Sequence, residues 1–205
     1  MSPNPSPDRY DRLTIAMHWL TLAVCVAVFA SIELRVLFAK GTVPREGLKA
    51  AHFMLGLLIL GMTALRLAHR LSSAGRPPIE PPPAQWQARL SGIVHGVLYL
   101  LLIGMPLLGW VTLGAAGKPI PFFGLDVPAL TAPDKELAKQ LESLHKLIGN
   151  WAYGLIALHA AAALFHHAVR RDNTLRRMWP GRRRTAPALR RAPSARLDAS
   201  LGQQP

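Results

Sequence analysis

The sequence predicts an all-α integral membrane protein, a four-transmembrane-helix bundle with both termini in the cytoplasm. Half of its 205 residues are hydrophobic, and they lie in four long blocks instead of short alternations. The basic residues, which give a formal net charge of +13, cluster at the chain ends and in one loop. Such an excess of lysine and arginine is typical of the cytoplasmic segments of membrane proteins.

The four apolar blocks are predicted to span the bilayer at about residues 13–32, 50–68, 93–113 and 144–169. Each approaches or exceeds the roughly 20 residues that a helix needs to cross the hydrocarbon core. The first block follows two arginines, as the core of a signal peptide would, but it is too long for that segment. Pro106 is expected to kink the third helix, which membrane helices tolerate.

The connections give the predicted topology. The N-terminal segment, the 66–92 loop and the chain end hold most of the unbalanced arginine, so they are placed in the cytoplasm, and 33–49 and 114–143 on the periplasmic side. Within the longest connection, residues 133–144 are expected to form a short amphipathic surface helix. Residues 8–180 are predicted to be one domain, and 181–205 a basic, disordered tail that is a topology signal, with no nucleic-acid partner.

Histidines are the candidate functional residues. His145 and His159 lie fourteen positions apart in the fourth block, which puts them on one helix stripe with roughly 21 Å between them along the axis. His52 comes early in the second span and matches the depth of His145. His18 comes early in the first span and matches His159. We therefore expect an outer pair, His52 with His145, and an inner pair, His18 with His159.

Two imidazoles at equal depth on facing helices are what a six-coordinate haem iron requires, so the four histidines predict two haems. A hydrogen bond between helices is the alternative for any one of them taken singly. No acidic residue lies inside a predicted span, which excludes a carboxylate-rich metal site. The single Cys25 excludes an internal disulfide, a cysteine-based zinc site and an iron–sulfur cluster, and is read as a small buried apolar residue.

Three further residues are weaker candidates. His95 and Tyr99 share a face of the third helix and could border a quinone pocket, with a hydrogen bond between helices as the alternative. His166 could serve a proton path or a haem propionate, or simply reach the interface. Four arginines are placed where propionates of the inner haem could be paired, although they also serve as topology signals: Arg66, Arg70, Arg170 and Arg171.

A set of short motifs resembles the bacterial cytochrome b561 family over about residues 8–180. The motifs are Arg9-Tyr10-Asp11-Arg12, Met17-His18-Trp19, Ala51-His52-Phe53-Met54-Leu55-Gly56, His95-Gly96-Val97-Leu98-Tyr99, Met105-Pro106-Leu107-Leu108-Gly109-Trp110, Leu144-His145-Lys146 with Gly149, Leu158-His159, and Asp172 with Arg177-Met178-Trp179-Pro180.

The resemblance implies a four-helix protein of the bacterial inner membrane with two haems b. By position, His18, His52, His145 and His159 match the family's iron ligands. The resemblance also implies an oxidoreductase similar to a superoxide:ubiquinone oxidoreductase, with superoxide and ubiquinone as partners. No catalytic residue is predicted.

Two alternatives remain open at the level of sequence. The chain could be a haem-bearing membrane anchor that relays electrons for a soluble dehydrogenase or hydrogenase partner, or a haem-free structural or transport bundle. Four basic residues of the first periplasmic connection could steer an anion such as superoxide toward the outer haem, or be ordinary solvated charges: Arg35, Lys40, Arg45 and Lys49.

Overall fold

A computed structural model describes residues 8–73 and 75–181. Four long helices dominate it, and all four are long and apolar enough to cross a membrane. They are α1 (Arg12–Leu34), α2 (Val43–Ser72), α3 (Gln85–Ala115) and α4 (Lys135–Ala168). The predicted fold class, a membrane bundle of four helices, is confirmed, whereas which side of the membrane holds the termini remains a prediction.

Local sequence signals start these helices. The side chain of Asp11 caps α1 by accepting a 2.9 Å hydrogen bond from the Thr14 amide. Pro44 lies in the first turn of α2, where its missing N–H costs nothing. The side chain of Asp134 accepts hydrogen bonds from two amides in the first turn of α4.

The helices are longer than the apolar blocks that predicted them. Residues 133–144 do not form a separate surface helix, because α4 runs without interruption from Lys135. A helix of 34 residues is roughly 51 Å long, so α4 must extend well beyond about 30 Å of hydrocarbon. Glu33, expected in a connection, lies in the last turn of α1. Hydropathy finds the part of a helix that lies in lipid and misses its polar extensions.

Consecutive helices pack against each other, α1 on α2, α2 on α3 and α3 on α4. Between α1 and α4, side chains bridge the helices: the Tyr153 hydroxyl donates a 2.9 Å hydrogen bond to Glu33, and the Tyr153 ring lies 4.3 Å from Phe29. We call the end of the bundle that holds residues 8–11 and 169–181 the inner end, and the opposite end the outer end.

The inner end is closed by the segment that follows α4. The backbone oxygen of Arg177 accepts a 3.2 Å hydrogen bond from the Tyr10 amide, and the indole of Trp19 donates a 2.7 Å bond to Met178. The Arg177 guanidinium, itself buried, donates to the Pro77 carbonyl and lies over the Tyr10 ring. These contacts tie the start of α1, the proline-rich loop and the chain after α4 into one cap. Of the predicted basic tail, 182–205 lies outside the described residues.

The outer end carries a two-stranded antiparallel ribbon that the sequence did not predict. Its strands are β1 (Pro121–Phe122) and β2 (Leu125–Asp126), with Phe122 opposite Leu125. Strands of two residues are too short to leave a periodicity in the sequence.

Candidate functional site

One cavity of about 2500 Å³ runs through the bundle from the inner to the outer end. Its size exceeds the range of about 300–1,000 Å³ that is usual for small-molecule pockets. All four predicted iron ligands line it: His18, His52, His145 and His159.

The outer part of the cavity brings His52 and His145 together. Their ring centroids are 6.2 Å apart, and the ring planes make an angle of 73°. Gly109 of α3 lies against the His145 ring, and a Cβ atom built on this glycine would be 3.4 Å from it. The absence of a side chain at Gly109 leaves the His145 imidazole free to point at His52.

The inner part brings His18 and His159 together. Their ring centroids are 6.4 Å apart, with an angle of 67° between the planes. The two pairs are therefore alike in spacing although they involve three different helices. The structure brings together the same partners that the depths along the helices predict, while their role as iron ligands remains a prediction.

These separations fit one metal atom between each pair. A bond from metal to imidazole nitrogen is about 2 Å, and the ring adds a little more than about 1 Å, so two axial imidazoles have centroids about 6 Å apart. No hydrogen bond joins the rings of either pair in the part of the chain that the structure describes, although His52 and His18 each contact a neighbouring helix, at Val28 and at Arg66. No cluster of three or more metal-ligating side chains occurs among residues 8–73 and 75–181. A group that brings its own four equatorial nitrogens, as haem does, suits this donor set.

Second contacts orient the rings. Nδ1 of His52 lies 3.0 Å from the Val28 carbonyl oxygen, to which it can donate. A proton held on Nδ1 leaves the lone pair of Nε2 free for a metal, as in most metal-binding histidines. His145 has no such partner in the described residues, because its buried Nδ1 atom makes no hydrogen bond.

At the inner pair, the Arg66 side chain lies beside a ring nitrogen of His18. Nη2 of Arg66 lies 3.3 Å from Nδ1 of His18. A guanidinium can only donate, so Nδ1 must accept and the proton of the neutral ring moves to Nε2. Iron binding at Nε2 and this hydrogen bond are therefore mutually exclusive. If His18 held iron, the Arg66 charge would be free to pair with another anion, such as a propionate.

The weaker candidates cluster around the same inner pair. The ring of His95 lies 5.3 Å from that of His159, and its Nδ1 atom lies 2.6 Å from the Ser91 carbonyl. The guanidinium groups of Arg66 and Arg70 lie 5.7 and 5.5 Å from the centre of the Tyr99 ring. Arg170 and Arg171, which were also predicted to lie near propionates of the inner haem, do not line the cavity.

His166 has a carboxylate partner that the sequence did not identify. Its Nδ1 atom lies 2.5 Å from Asp172, whose side chain also accepts a hydrogen bond from the Thr174 amide. Burial alone would raise the pKa of Asp172, but the hydrogen bonds from His166 and Thr174 outweigh it, and the pKa is lower than usual. An ionised Asp172 fixes the proton of the neutral His166 ring on Nδ1, which leaves the lone pair of Nε2 free to accept a hydrogen bond or a proton.

The outer mouth of the cavity holds more basic side chains than the sequence predicts. Of the four residues proposed to steer an anion, Arg35 and Lys49 line the cavity and Lys40 and Arg45 do not. Arg45 instead donates to the backbone oxygens of Arg35 and Phe38. Four lysines from the second outer connection and α4 complete the rim: Lys118, Lys135, Lys139 and Lys146. Their proximity follows from the length of α4, which a search for apolar blocks does not detect.

Comparison with known proteins agrees with this architecture. The family profile described as Prokaryotic cytochrome b561 matches residues 9–181. The chain belongs to the prokaryotic cytochrome b561 family. Cytochrome b561 homolog 1 of Escherichia coli (strain K12) is 35% identical over 178 residues, which are 86% of this chain and 99% of that protein.

Two further cytochrome b561 relatives cover similar lengths. A protein of Yersinia pestis named "Probable superoxide oxidase CybB" is 38% identical over 178 residues, 85% of this chain and 98% of its own. Cytochrome b561 homolog 2 of E. coli (strain K12) is 31% identical over 180 residues, 87% and 95% of the two chains. The family resemblance predicted from the motifs is therefore confirmed. This cytochrome b561 is a multi-pass bacterial membrane protein that binds haem b and acts in electron transfer.

Proposed function

We propose that this cytochrome b561 holds two haems b and transfers single electrons from a periplasmic donor such as superoxide to ubiquinone in the membrane. The observation that carries the proposal is the equal spacing of two histidine pairs, 6.2 Å and 6.4 Å, at two depths of one cavity. His52 and His145 would hold the outer haem, and His18 and His159 the inner one. When bound, haem b supplies an iron that carries one electron at a time.

Charge supports superoxide as the donor. Six basic side chains surround the outer mouth: Arg35, Lys49, Lys118, Lys135, Lys139 and Lys146. Glu33 and Glu142 are the acids of the cavity lining at this end, and Glu142 is paired with Lys146 at 2.5 Å. A cleft with an excess of one sign of charge concentrates small ions of the other sign. The positive-inside rule predicts that this end faces the periplasm, because the other end holds most of the unbalanced arginine.

The inner end supports a quinone that takes up protons. Reduction of one ubiquinone to ubiquinol consumes two electrons, from two superoxide anions that leave as O₂, and two protons. His166 lies against Asp172 and lines the cavity at this end, and it would carry the protons to the quinone. His95 and Tyr99 border the space beside His159 and could hydrogen-bond the quinone oxygens.

A rapid-mixing experiment tests the reaction. The haem-loaded protein in nanodiscs that contain ubiquinone is mixed with superoxide, and haem absorbance and ubiquinol are followed together. We expect the haem to be reduced when superoxide is mixed in. After correction for the superoxide lost to spontaneous dismutation, one ubiquinol should form for every two superoxide anions consumed. Haem that stays oxidised under superoxide would contradict this donor.

The alternative is a haem-bearing anchor for a soluble dehydrogenase or hydrogenase partner. The outer connections contain only short elements in the described residues, the two-stranded ribbon and a 3₁₀ turn at Arg35–Leu37, and no separate docking domain. Their small size favours a stand-alone oxidoreductase. Purification from native membranes discriminates between the two. A stoichiometric partner would support the anchor, whereas a purified chain that reduces ubiquinone by itself supports the oxidoreductase.

A further inference from the structure

The two strands and the turn of the ribbon do not line the cavity, whereas Ile120, just before β1, does. The backbone amide of Phe123, at its turn, lies 3.3 Å from the sulfur of Met54 on α2. Met54 follows His52 by two residues, which rotates its side chain about 200° around the helix axis from the imidazole. Consistent with this rotation, His52 and Phe53 line the cavity and Met54 does not. The ribbon therefore lies against the outside of α2.

The contact with Met54 also sets the depth of the ribbon. The apolar block of α2 begins at about residue 50, so Met54 lies roughly 6 Å inside it at 1.5 Å per residue. The ribbon lies beside this sulfur, on the side of α2 that faces away from the cavity. It is therefore at the level of the lipid interface.

The base of the ribbon is pinned and its tip is apolar. Ile120 is only 2% exposed, its carbonyl accepts a 2.9 Å hydrogen bond from the Val127 amide, and the Trp110 indole donates a 3.0 Å bond to Pro128. In contrast, Phe123 and Leu125 are 60% and 69% exposed. The base of the ribbon is thus fixed by hydrogen bonds, and its tip exposes two large apolar side chains.

The turn residue is an unusual choice. Phe123 has a φ of 48°, in the left-handed region, and is followed by Gly124 with a φ of 88°. Asparagine, aspartate or glycine are favoured at such a turn position, and a bulky residue is strained there. Inside the protein, the Phe123 ring contacts the neighbouring Phe122 ring at 5.1 Å, which does not by itself explain a phenylalanine in this conformation.

We propose that the tip of this ribbon, Phe123 and Leu125, inserts into the boundary between headgroups and acyl chains of the leaflet at the outer end. Lipid is the occupant that the observations favour, because the tip lies on the outside of α2 at the depth of its apolar block. The free energy of burying aromatic and aliphatic side chains at this boundary is favourable. Asp126 is exposed and lies two residues after Gly124. It pairs with Pro121, so its side chain is on the opposite face of the ribbon from Phe122 and Leu125.

Spin labels on the full-length, haem-loaded protein in nanodiscs test this insertion. Cys25→Ser removes the native thiol, and Phe123→Cys and Asp126→Cys then provide matched label sites on one ribbon. We expect the label at 123 to be several-fold more accessible to oxygen than to a water-soluble nickel chelate, and the label at 126 to show the reverse. Haem content and absorbance spectrum, unchanged from the parent, show that each variant is folded.

Two results would overturn the proposal. Equal access of the nickel chelate to both labels would mean that the tip lies in water. A label at 123 that is shielded from both reagents would mean that a second protein chain covers the tip.

Two more variants keep the test independent of the Phe123→Cys substitution. Leu125→Cys should report the same preference for oxygen. Phe123→Asn, a residue suited to the turn, should leave thermal stability in detergent unchanged or raised while the label at 125 becomes several-fold more accessible to the nickel chelate. A fall in stability together with unchanged access would assign Phe123 a role in folding alone.

Discussion

The outer and inner histidine pairs have nearly the same spacing but different surroundings. At the outer pair, a backbone carbonyl orients His52 and a glycine lies against His145. At the inner pair, Arg66 contacts His18, and a second imidazole, that of His95, approaches His159. Similar spacing predicts the same cofactor, whereas the different surroundings predict different tasks. We expect the outer site to receive electrons from an anion, and the inner site to provide charge compensation and protons.

Replacing a ligand should have the largest effect on this comparison. We expect His52→Ala or His145→Ala to remove the outer haem, and His18→Ala or His159→Ala the inner one, so that each variant retains one haem per chain. Haem content by the pyridine haemochrome assay gives the number, and redox titration shows which component is lost. A variant with two haems would exclude that histidine as an essential ligand.

Charge reversal at the outer mouth comes next. Lys139→Glu should slow haem reduction by superoxide about tenfold at low salt, because steering by a charged cleft contributes about 10- to 10³-fold to association rates. Lys40→Glu is the matched control, since Lys40 is exposed at the same end but does not line the cavity. High salt should remove the difference. Equal slowing in both variants would mean that net charge, and not the mouth, is what matters.

Asp172→Asn tests the proton supply of the inner end. We expect ubiquinol formation to slow several-fold with both haems retained, because the amide no longer fixes the proton of His166. Asp172 is 2% exposed, so the melting temperature should also fall. Unchanged turnover would restrict the pair to a structural role.

The stability effect of Asp172 has a defined pH dependence. Its pKa is lower in the folded protein than in the unfolded chain, so the carboxylate stabilises the fold fully above its ordinary pKa of about 4. This contribution is lost as pH falls through the folded value. The difference in melting temperature between the native chain and Asp172→Asn should shrink as the pH falls below about 4. A difference that grows in acid would contradict this assignment.

Arg66→Gln should have the smallest effect. Removal of a positive charge beside His18 disfavours the reduced iron, so the inner haem potential should fall by tens of millivolts, where about 59 mV is tenfold for one electron. Arg70→Gln is the control, because Arg70 carries the same charge and lies over the same Tyr99 ring but is one turn of α2 nearer the inner end. A larger shift of the outer haem than of the inner one would reverse our assignment of Arg66.

The sequence predicted the helices and the histidine pairs because both depend on regular geometry. A fixed rise and rotation per residue place His145 and His159 on one stripe at two depths. The pairing of His166 with Asp172 lay beyond such reasoning. It depends on the left-handed conformation of Arg171, with a φ of 55°, which turns the chain back after α4.

The lysines at the outer mouth of the cavity and the ribbon were not predicted from the sequence, for related reasons. Lys135 and Lys139 belong to a part of α4 that leaves the hydrocarbon, so hydropathy assigned them to a connection. The ribbon depends on Phe123 at a turn position where sequence rules expect asparagine or glycine. In each case the local signal was polar or irregular, and tertiary contacts determined the conformation.

Haem content of two double variants tests the central claim most directly. If each pair holds one haem, His52→Ala with His145→Ala should retain one haem per chain, because both changes affect the same site. His18→Ala with His52→Ala, which removes the same number of imidazoles, should retain none. One haem in the second variant and none in the first would contradict the pairing of these histidines by depth.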